Sequence, residues 1–549
     1  MITDGNLIQL SLETAKAVQQ ATPIFFYLDT DPQTIGECTI PAGQKGCLTA
    51  PFAALGWYWN DDGQIAPART LYATTLRRNI AVATIHVRPR PVVLVHGFGS
   101  DFTAWSEYLG PSGYLARIGL PGFAVGDGQV EGIMRTGNLL KPKTKTNTIA
   151  QNAVILAEYI ANVKTETGAE QVDLLVHSMG GFISRKYIAS IMGERDVAQL
   201  IMLGTPHAGS DCVLLASGIG WHEPAAFEIR SNYMINVFNP QTQERRGIPF
   251  YEFAGTRIQR RILSPCSQTP NDLVVSLESA AAIPTILQEI PFLHIDLNSD
   301  EVVFTDYVAP LLRKSPSAFA NQAEPSTPAQ ALPEPAPIQF SQVFTGFVRS
   351  GADNEHIIHI DNNVAVASFG TFDPSRSLSV TVRGASGNVI VLEPEKHGLT
   401  VIDDPDSLLY LGYGFENPKP GPWRVTMQTT AKTPPLGVEY GIIVQYVGGA
   451  SIAANLSSHV PSVGEQVELT ATLKLEEQPL PVESGKVVIH TPDGRTEEVP
   501  FTGQDGGIGA IFLPEMEGVY GIDVDMSSVA PDGSIVQRST YLAFEAFER

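Results

Sequence analysis

The sequence predicts a chain of mixed class: a central α/β unit with a mostly parallel sheet and helices on both faces, flanked by all-β modules. Three observations carry this. Between about residues 91 and 314, continuous apolar strand segments alternate with helix-like stretches, the pattern of a sheet buried on both sides. From about residue 339 onward, period-2 segments separated by Gly, Pro, Asn and Asp replace that pattern. Between the two lies a Pro- and Ala-rich stretch, residues 315–338, with the composition of a semi-rigid extended linker.

Taken in order, residues 1–90 hold short strand-like pieces ("IFFYLD", "ECTIPAG", "TLYATTL") with turn residues between them and read as a small β module. Residues 91–314 are the α/β unit. "RPVVLVHGFGS" is an apolar strand ending in His-Gly, followed by a helix near "DFTAWSEYLG". Ile149, Ala153, Leu156, Ile160 and Val163 recur at the helical period, and Gly168 ends that helix. The strands "VDLLV", "QLIMLG" and "FYEFAGT" follow. Segments such as "RSLSVTVRG" and "YGIIVQYVG" make 339–449 one β-sandwich. "EQVELTATLKL" and "GVYGIDVDMS" make 450–549 a second, in which "IHTPDGRTEEV" resembles immunoglobulin-like repeats.

A chain of 549 residues is too long for one core, and no apolar run approaches the ~18 residues of a membrane span. The formal charge of −22 excludes the basic surface that nucleic-acid binding needs. The four cysteines fall into two pairs, Cys38 with Cys47 and Cys212 with Cys266, without C-x-x-C spacing. In an acidic, Gly- and Pro-rich chain this fits an exported protein, secreted or at the cell surface, with two disulfides. Four buried thiols in a cytosolic protein are the competing reading. The N-terminus lacks the basic and apolar regions of a signal peptide, so the expectation is that any signal has been removed. His356 and His359 in "NEHIIHI" fall on opposite faces of a strand, and no metal is assigned to them.

The chemistry is carried by "VDLLVHSMGG". An apolar strand that turns sharply into a helix exposes its turn residue above the sheet's carboxyl edge, and that residue is Ser178. Of the G-x-S-x-G pattern the second glycine, Gly180, is present, and Val176 replaces the first. A β-branched residue there needs room beneath the turn, which Gly180 and Gly181 are expected to supply, with some distortion around Ser178. Acyl transfer by serine requires a base and an acid that orients it. In the chain order Ser, acid, His, the candidates are Asp272 in "SQTPNDLVVSLESA" and His294 in "IPFLHIDLNSD". His207 and His222 precede Asp272 and break that order; Asp296, Asp300 and Glu278 compete for the acid's place. Backbone amides of Met179 and Phe98 are the expected oxyanion donors.

As a set, "VLVHGFGS", "LLVHSMGG", "LGTPHAGS" and "NDLVVSLESA" resemble the corresponding segments of α/β-hydrolase lipases: bacterial triacylglycerol lipases and their lecithin-acyltransferase and inositol-deacylase-like relatives. The resemblance covers under half the chain. It implies Ser178 as nucleophile, Asp272 as acid, His294 as base, and a lipid or other ester substrate. No cofactor is required; calcium occurs in some lipases, and no residue here is assigned to it. Asn-Asp-Leu stands where many lipases have Gly-Asp-Gly.

The long connection from about 207 to 247 is where lipases carry a lid. Leu214, Leu215, Trp221, Phe227, Met234 and Phe238 form its apolar stripe, which either meets an acyl chain or packs on the sheet. A Cys212–Cys266 disulfide would tether its root. The reading is a secreted serine esterase or lipase, foremost a lipase of acylglycerols or related lipid esters, working through an acyl-enzyme. Acyl transfer to an alcohol, and an adhesion protein with an inactive hydrolase-like domain, are the alternatives. Lipid or polymer surfaces are the partners expected of the β modules by analogy.

Overall fold

The computed structural model describes the chain except for residues 30, 61, 77, 131, 139–140, 142, 211–221, 260–269, 314–338, 341–342, 374, 393–398, 403–409, 477, 505–506 and 549. The Pro- and Ala-rich linker, Cys212, Cys266, Leu214, Leu215 and Trp221 therefore lie outside the described residues.

The centre is a six-stranded, all-parallel sheet: Val92–Val95 (β1), Gly122–Ala124 (β2), Val172–His177 (β3), Val197–Leu203 (β4), Phe250–Gly255 (β5) and Ile286–Ile290 (β6), ordered β2-β1-β3-β4-β5-β6. Every residue of β1, β4 and β5 is buried, as expected of strands covered on both faces. β2 and β6 were not legible in the sequence. They are short edge strands, and β6 is exposed over four of its five residues, so it lacks the apolar run that marks its neighbours.

The predicted amphipathic helix spans Ile149–Thr167 (α1). Thr148 and Gln151 close a reciprocal capping box at its start, and Gly168 ends it at φ +69°. Its buried stripe of Ile149, Ala153, Leu156, Ile160 and Val163 packs in one core with Val93, Val95, Leu174 and Val176. On the other face of the sheet, Leu94, Leu175, Ile201 and Phe253 share a core with Trp105, Tyr108, Phe304 and Leu312.

That second core also includes Trp57, Tyr58, Trp59 and Val87 of the N-terminal segment, whose main sheet runs Ile2–Thr3, Asn79–Arg88, Ala68–Thr74, Thr22–Leu28, Gly36–Ile40. Arg90 fastens the junction. Its guanidinium bonds Asp4 (3.3 Å) and Asp173 on β3 (3.0 Å), all three side chains buried. A disulfide joins Cys38 and Cys47, with a Cα–Cα separation of 5.8 Å.

The C-terminal half is built of antiparallel sheets. Gln339–Phe340 bridges Val438–Gly448 and Ile535–Ala546, so one ten-stranded sheet runs through both β modules. Each module closes over its own core, one around Phe369, Trp423 and Ile442, the other around Val467, Ile522 and Phe544. A buried Arg538–Asp361 pair (2.7 Å) links them. His356, on the strand Asp353–Ile360, bonds the Tyr440 hydroxyl at 2.7 Å. Among the described residues no helix is long and apolar enough to cross a membrane.

Candidate active site

At the carboxyl end of β3 the chain reverses into the helix Gly180–Lys186 (α2). Ser178 makes the turn at φ +53°, a left-handed conformation that a non-glycine residue adopts only under constraint. Its N–H donates to the Leu203 carbonyl (2.9 Å), and its own carbonyl accepts from Thr205 Oγ1 (3.1 Å). The elbow is thus pinned to the end of β4.

The room at Gly180 is not taken by Val176. A Cβ on Gly180 would lie 2.5 Å from the Val95 carbonyl oxygen and 3.0 Å from that of His96, and one on Gly181 would strike Thr205. Val176 points into the core shared with Met179 and Phe182 and is fully buried there. Small residues are needed after the serine because α2 presses on the end of β1 at Gly180 and on Thr205 at Gly181, which differs from the crowding by Val176 expected from sequence.

Asp272 follows β5. Its Oδ1 accepts the amides of Val274 (2.9 Å) and Val275 (2.6 Å), and its Oδ2 stands 2.8 Å from His294 Nδ1. The His294 amide donates to the Asp272 carbonyl (3.0 Å), so backbone and side chain hold the two residues together. Leu273 takes φ +79° to allow this turn, and its N–H donates to Asn271 Oδ1 (2.9 Å). In the Asn-Asp-Leu sequence, a leucine therefore bears a conformation glycine adopts freely, at a cost of order 1–3 kcal/mol.

Two glycines at strand ends make space for the pair. A Cβ on Gly204 would fall 3.0 Å from His294 Nδ1, and one on Gly255 would fall 2.7 Å from Asp272 Cβ. Gly97, after β1, passes so close to the elbow that its Cβ would meet Ser178 Cβ at 2.8 Å. Ser178, Asp272 and His294 are all buried to 6% exposure or less. Ser178 Oγ and His294 Nε2 are not hydrogen-bonded to each other among the described residues.

Met179 begins the turn into α2, and among the described residues its N–H has no acceptor. Phe98 lies in the loop after β1, its side chain half-buried against the α1 core. Thr136 fixes that loop: its Oγ1 donates to the Gly97 carbonyl (2.7 Å), and its own carbonyl accepts from the Gly99 amide (2.9 Å).

The competing residues lie elsewhere. His207 is buried beside Arg185, which approaches its Nδ1 at 3.1 Å, and its Nε2 comes 3.3 Å from Glu252 without hydrogen-bond geometry. Burial, with Arg185 next, drives the His207 pKa well down, and burial drives the Glu252 carboxyl well up. Glu252 Oε1 accepts from the Thr205 amide (3.0 Å) and so supports the elbow from behind. His222 meets His490 of the C-terminal module. Asp300 Oδ1 caps the following helix at Val302 N (2.7 Å), Glu278 sits in the helix Leu277–Ala280, and Asp296 follows His294 within one helical turn.

Sequence reasoning missed His177, whose Nε2 donates to the His294 carbonyl (2.9 Å) and whose ring lies 4.6 Å from the His294 ring. Its place next to Ser178 was the available signal. Nothing in the spacing could have tied Thr136 to Gly97.

Phe227, Met234 and Phe238 of the predicted lid are buried. Phe238 packs on Phe182, and Phe227 fills the hollow over Gly521 of the C-terminal module. Arg230 donates there to the carbonyls of Leu542 (2.6 Å) and Ile522 (3.1 Å) and pairs with Asp523 (3.1 Å). Asn232 exchanges two hydrogen bonds with the Ala543 backbone. The C-terminal module thus sits directly on the segment that follows β4.

Residues 136–218 match the family model of the PGAP1-like alpha/beta domain. Over 56 residues the chain is 43% identical to a triacylglycerol lipase of Pseudarthrobacter phenanthrenivorans, a stretch that is 10% of this chain and 17% of that protein. Among solved structures, it is similar to the Bacillus licheniformis lipase BlEst2 in propeptide form, with TM-score 0.52 and 16% identity over 83% of this chain and 96% of that one.

Proposed function

We propose, on the premise that the central unit is an α/β-hydrolase core related to lipases and esterases, that this protein hydrolyses carboxylic esters of lipids through an acyl-enzyme. The observation that carries the reading is the placement of Ser178, at φ +53° on a strand-to-helix turn, on the same carboxyl edge as the His294–Asp272 pair.

In this reading Ser178 Oγ attacks the ester carbonyl carbon while His294 Nε2 takes its proton. Asp272, with Oδ2 on His294 Nδ1, holds the tautomer that leaves Nε2 free to accept and stabilises the cation that forms. The two amides on Asp272 Oδ1 hold its carboxylate in orientation. The amides of Met179 and Phe98 receive the oxyanion; Met179 gains from its position at the start of α2. The proton passes from His294 to the departing alcohol, and water then repeats the sequence to release the acid.

Acylglycerols are the favoured substrate class, since the lipase of the Pseudarthrobacter match acts under that name. In this reading the segment 222–241 is the cap; its Phe227, Met234 and Phe238 are buried, Phe238 against Phe182 and Phe227 against Gly521 of the C-terminal module. The disulfide and acidic surface fit secretion.

The test is fluorophosphonate labelling of the folded full-length chain, followed by an acyl-ester series from short to long chains. Labelling on Ser178, and loss of about a million-fold of turnover in Ser178→Ala, are expected. An unlabelled Ser178, or near wild-type turnover in Ser178→Ala, overturns the reading.

A further inference from the structure

Among the described residues, one cluster of side chains able to ligate a metal lies outside the active site. His222 comes from the cap segment; His490 and Asp523 come from the C-terminal module, on the paired strands Ser484–His490 and Gly518–Val529. His490 stands opposite Gly521, two residues before Asp523, so both side chains rise from one face of the sheet. Gly521 leaves a hollow there that Phe227 of the cap fills, its ring stacked 5.6 Å from that of His490. This packing brings His222 over the pair.

The separations are those of a coordination shell. His490 Nε2 lies 2.9 Å from Asp523 Oδ2 and 3.1 Å from His222 Nδ1, and the three ligand atoms all fall within 4.8 Å of one another. A tetrahedral ion with bonds of about 2.0–2.1 Å sets its ligands roughly 3.3 Å apart. His222 Nδ1 also stands 2.8 Å from His490 Nδ1.

The surroundings orient the ligands. His490 Nδ1 is 3.2 Å from Thr496 Oγ1, a partner that draws the proton to Nδ1 and leaves the Nε2 lone pair on the side of Asp523 Oδ2. Arg230 holds the other oxygen of Asp523 at 3.1 Å. His222 and Asp523 are half-buried and His490 is buried, so the cluster lies at the edge of the interface.

We propose that His222, His490 and Asp523 bind one divalent transition-metal ion of the zinc class, stapling the C-terminal module to the cap. Two imidazoles and one carboxylate favour zinc over calcium or magnesium, which take all-oxygen shells. The site is independent of the ester-hydrolase reading, and none of its ligands touches Ser178, Asp272 or His294 among the described contacts.

Equilibrium dialysis of the full-length chain against zinc, with calcium as a parallel arm, tests it by metal analysis. One zinc per chain is expected, with calcium not retained and the thermal midpoint raised by zinc. His222→Asn, which changes a half-buried ligand at the edge of the interface, should abolish stoichiometric binding. Thr496→Val, which leaves all three ligands in place, should weaken binding about 10- to 100-fold. No zinc retained by the wild type, equal retention by His222→Asn, or equal retention of calcium overturns the proposal.

Discussion

The carbonyl oxygen of Val95 occupies the place a side chain on Gly180 would need, 2.5 Å from the Cβ position. The helix after the serine is therefore seated on backbone, which cannot swing aside as a side chain would.

Gly180→Ala should push α2 off β1 and displace Ser178. The expected cost is about 1–3 kcal/mol of stability. On the proposed function, a shift of about 1 Å at Ser178 should also lower kcat/KM about 100-fold. Val176→Ala removes buried core volume at a cost of about 2 kcal/mol but leaves the seat of α2 intact, so turnover should suffer less. Denaturant unfolding together with ester hydrolysis reads both. Equal effects of the two variants on kcat/KM would refute this account of the elbow.

Asp272→Asn replaces an acceptor-only carboxylate whose two oxygens serve Val274, Val275 and His294. An amide cannot accept on both sides, so either a backbone amide loses its partner or His294 takes the wrong tautomer. A fall in kcat on the order of 10⁴ is expected, with the fold retained. A loss of only a few-fold would mean that another group orients His294.

His96 and His207 are fully buried, and burial lowers both pKa values from 6.5. Below that value the unfolded chain binds protons that the native chain refuses, so stability is complete above it and falls as the pH drops. Each histidine should contribute up to about 1.4 kcal/mol per pH unit. Urea titrations from neutral to mildly acidic pH should show this slope, and His207→Gln should reduce it. An unchanged slope in that variant would remove His207 from the account.

Arg230→Met withdraws a buried guanidinium from two carbonyls and from Asp523. Losing one partner of a buried pair should cost about 3–5 kcal/mol. The loss should appear as release of the C-terminal module, read by limited proteolysis and by a split or lowered thermal transition. A single transition at the wild-type temperature would show that the module is held by other contacts.

Much of the core was legible because it depends on local pattern. Four parallel strands announced themselves as apolar runs, and α1 by its period and its terminal Gly168. Ser178, Asp272 and His294 stand as candidates by residue type and chain order, and the structure pairs Asp272 with His294. The edge strands β2 and β6 could not, because a short or half-exposed strand carries no such run.

What the sequence alone determined is this alternation of periods and the chain order of Ser178, Asp272 and His294, both properties of the linear chain. The tertiary structure decided the rest. It showed that Gly180 yields to Val95 and not to Val176, that Leu273 bears a left-handed turn so that two amides can reach Asp272, and that His177 holds His294. It also set His222 against His490 across 268 residues. Such contacts depend on which backbones come within a few ångströms once the sheets have packed, and spacing along the chain does not encode that distance.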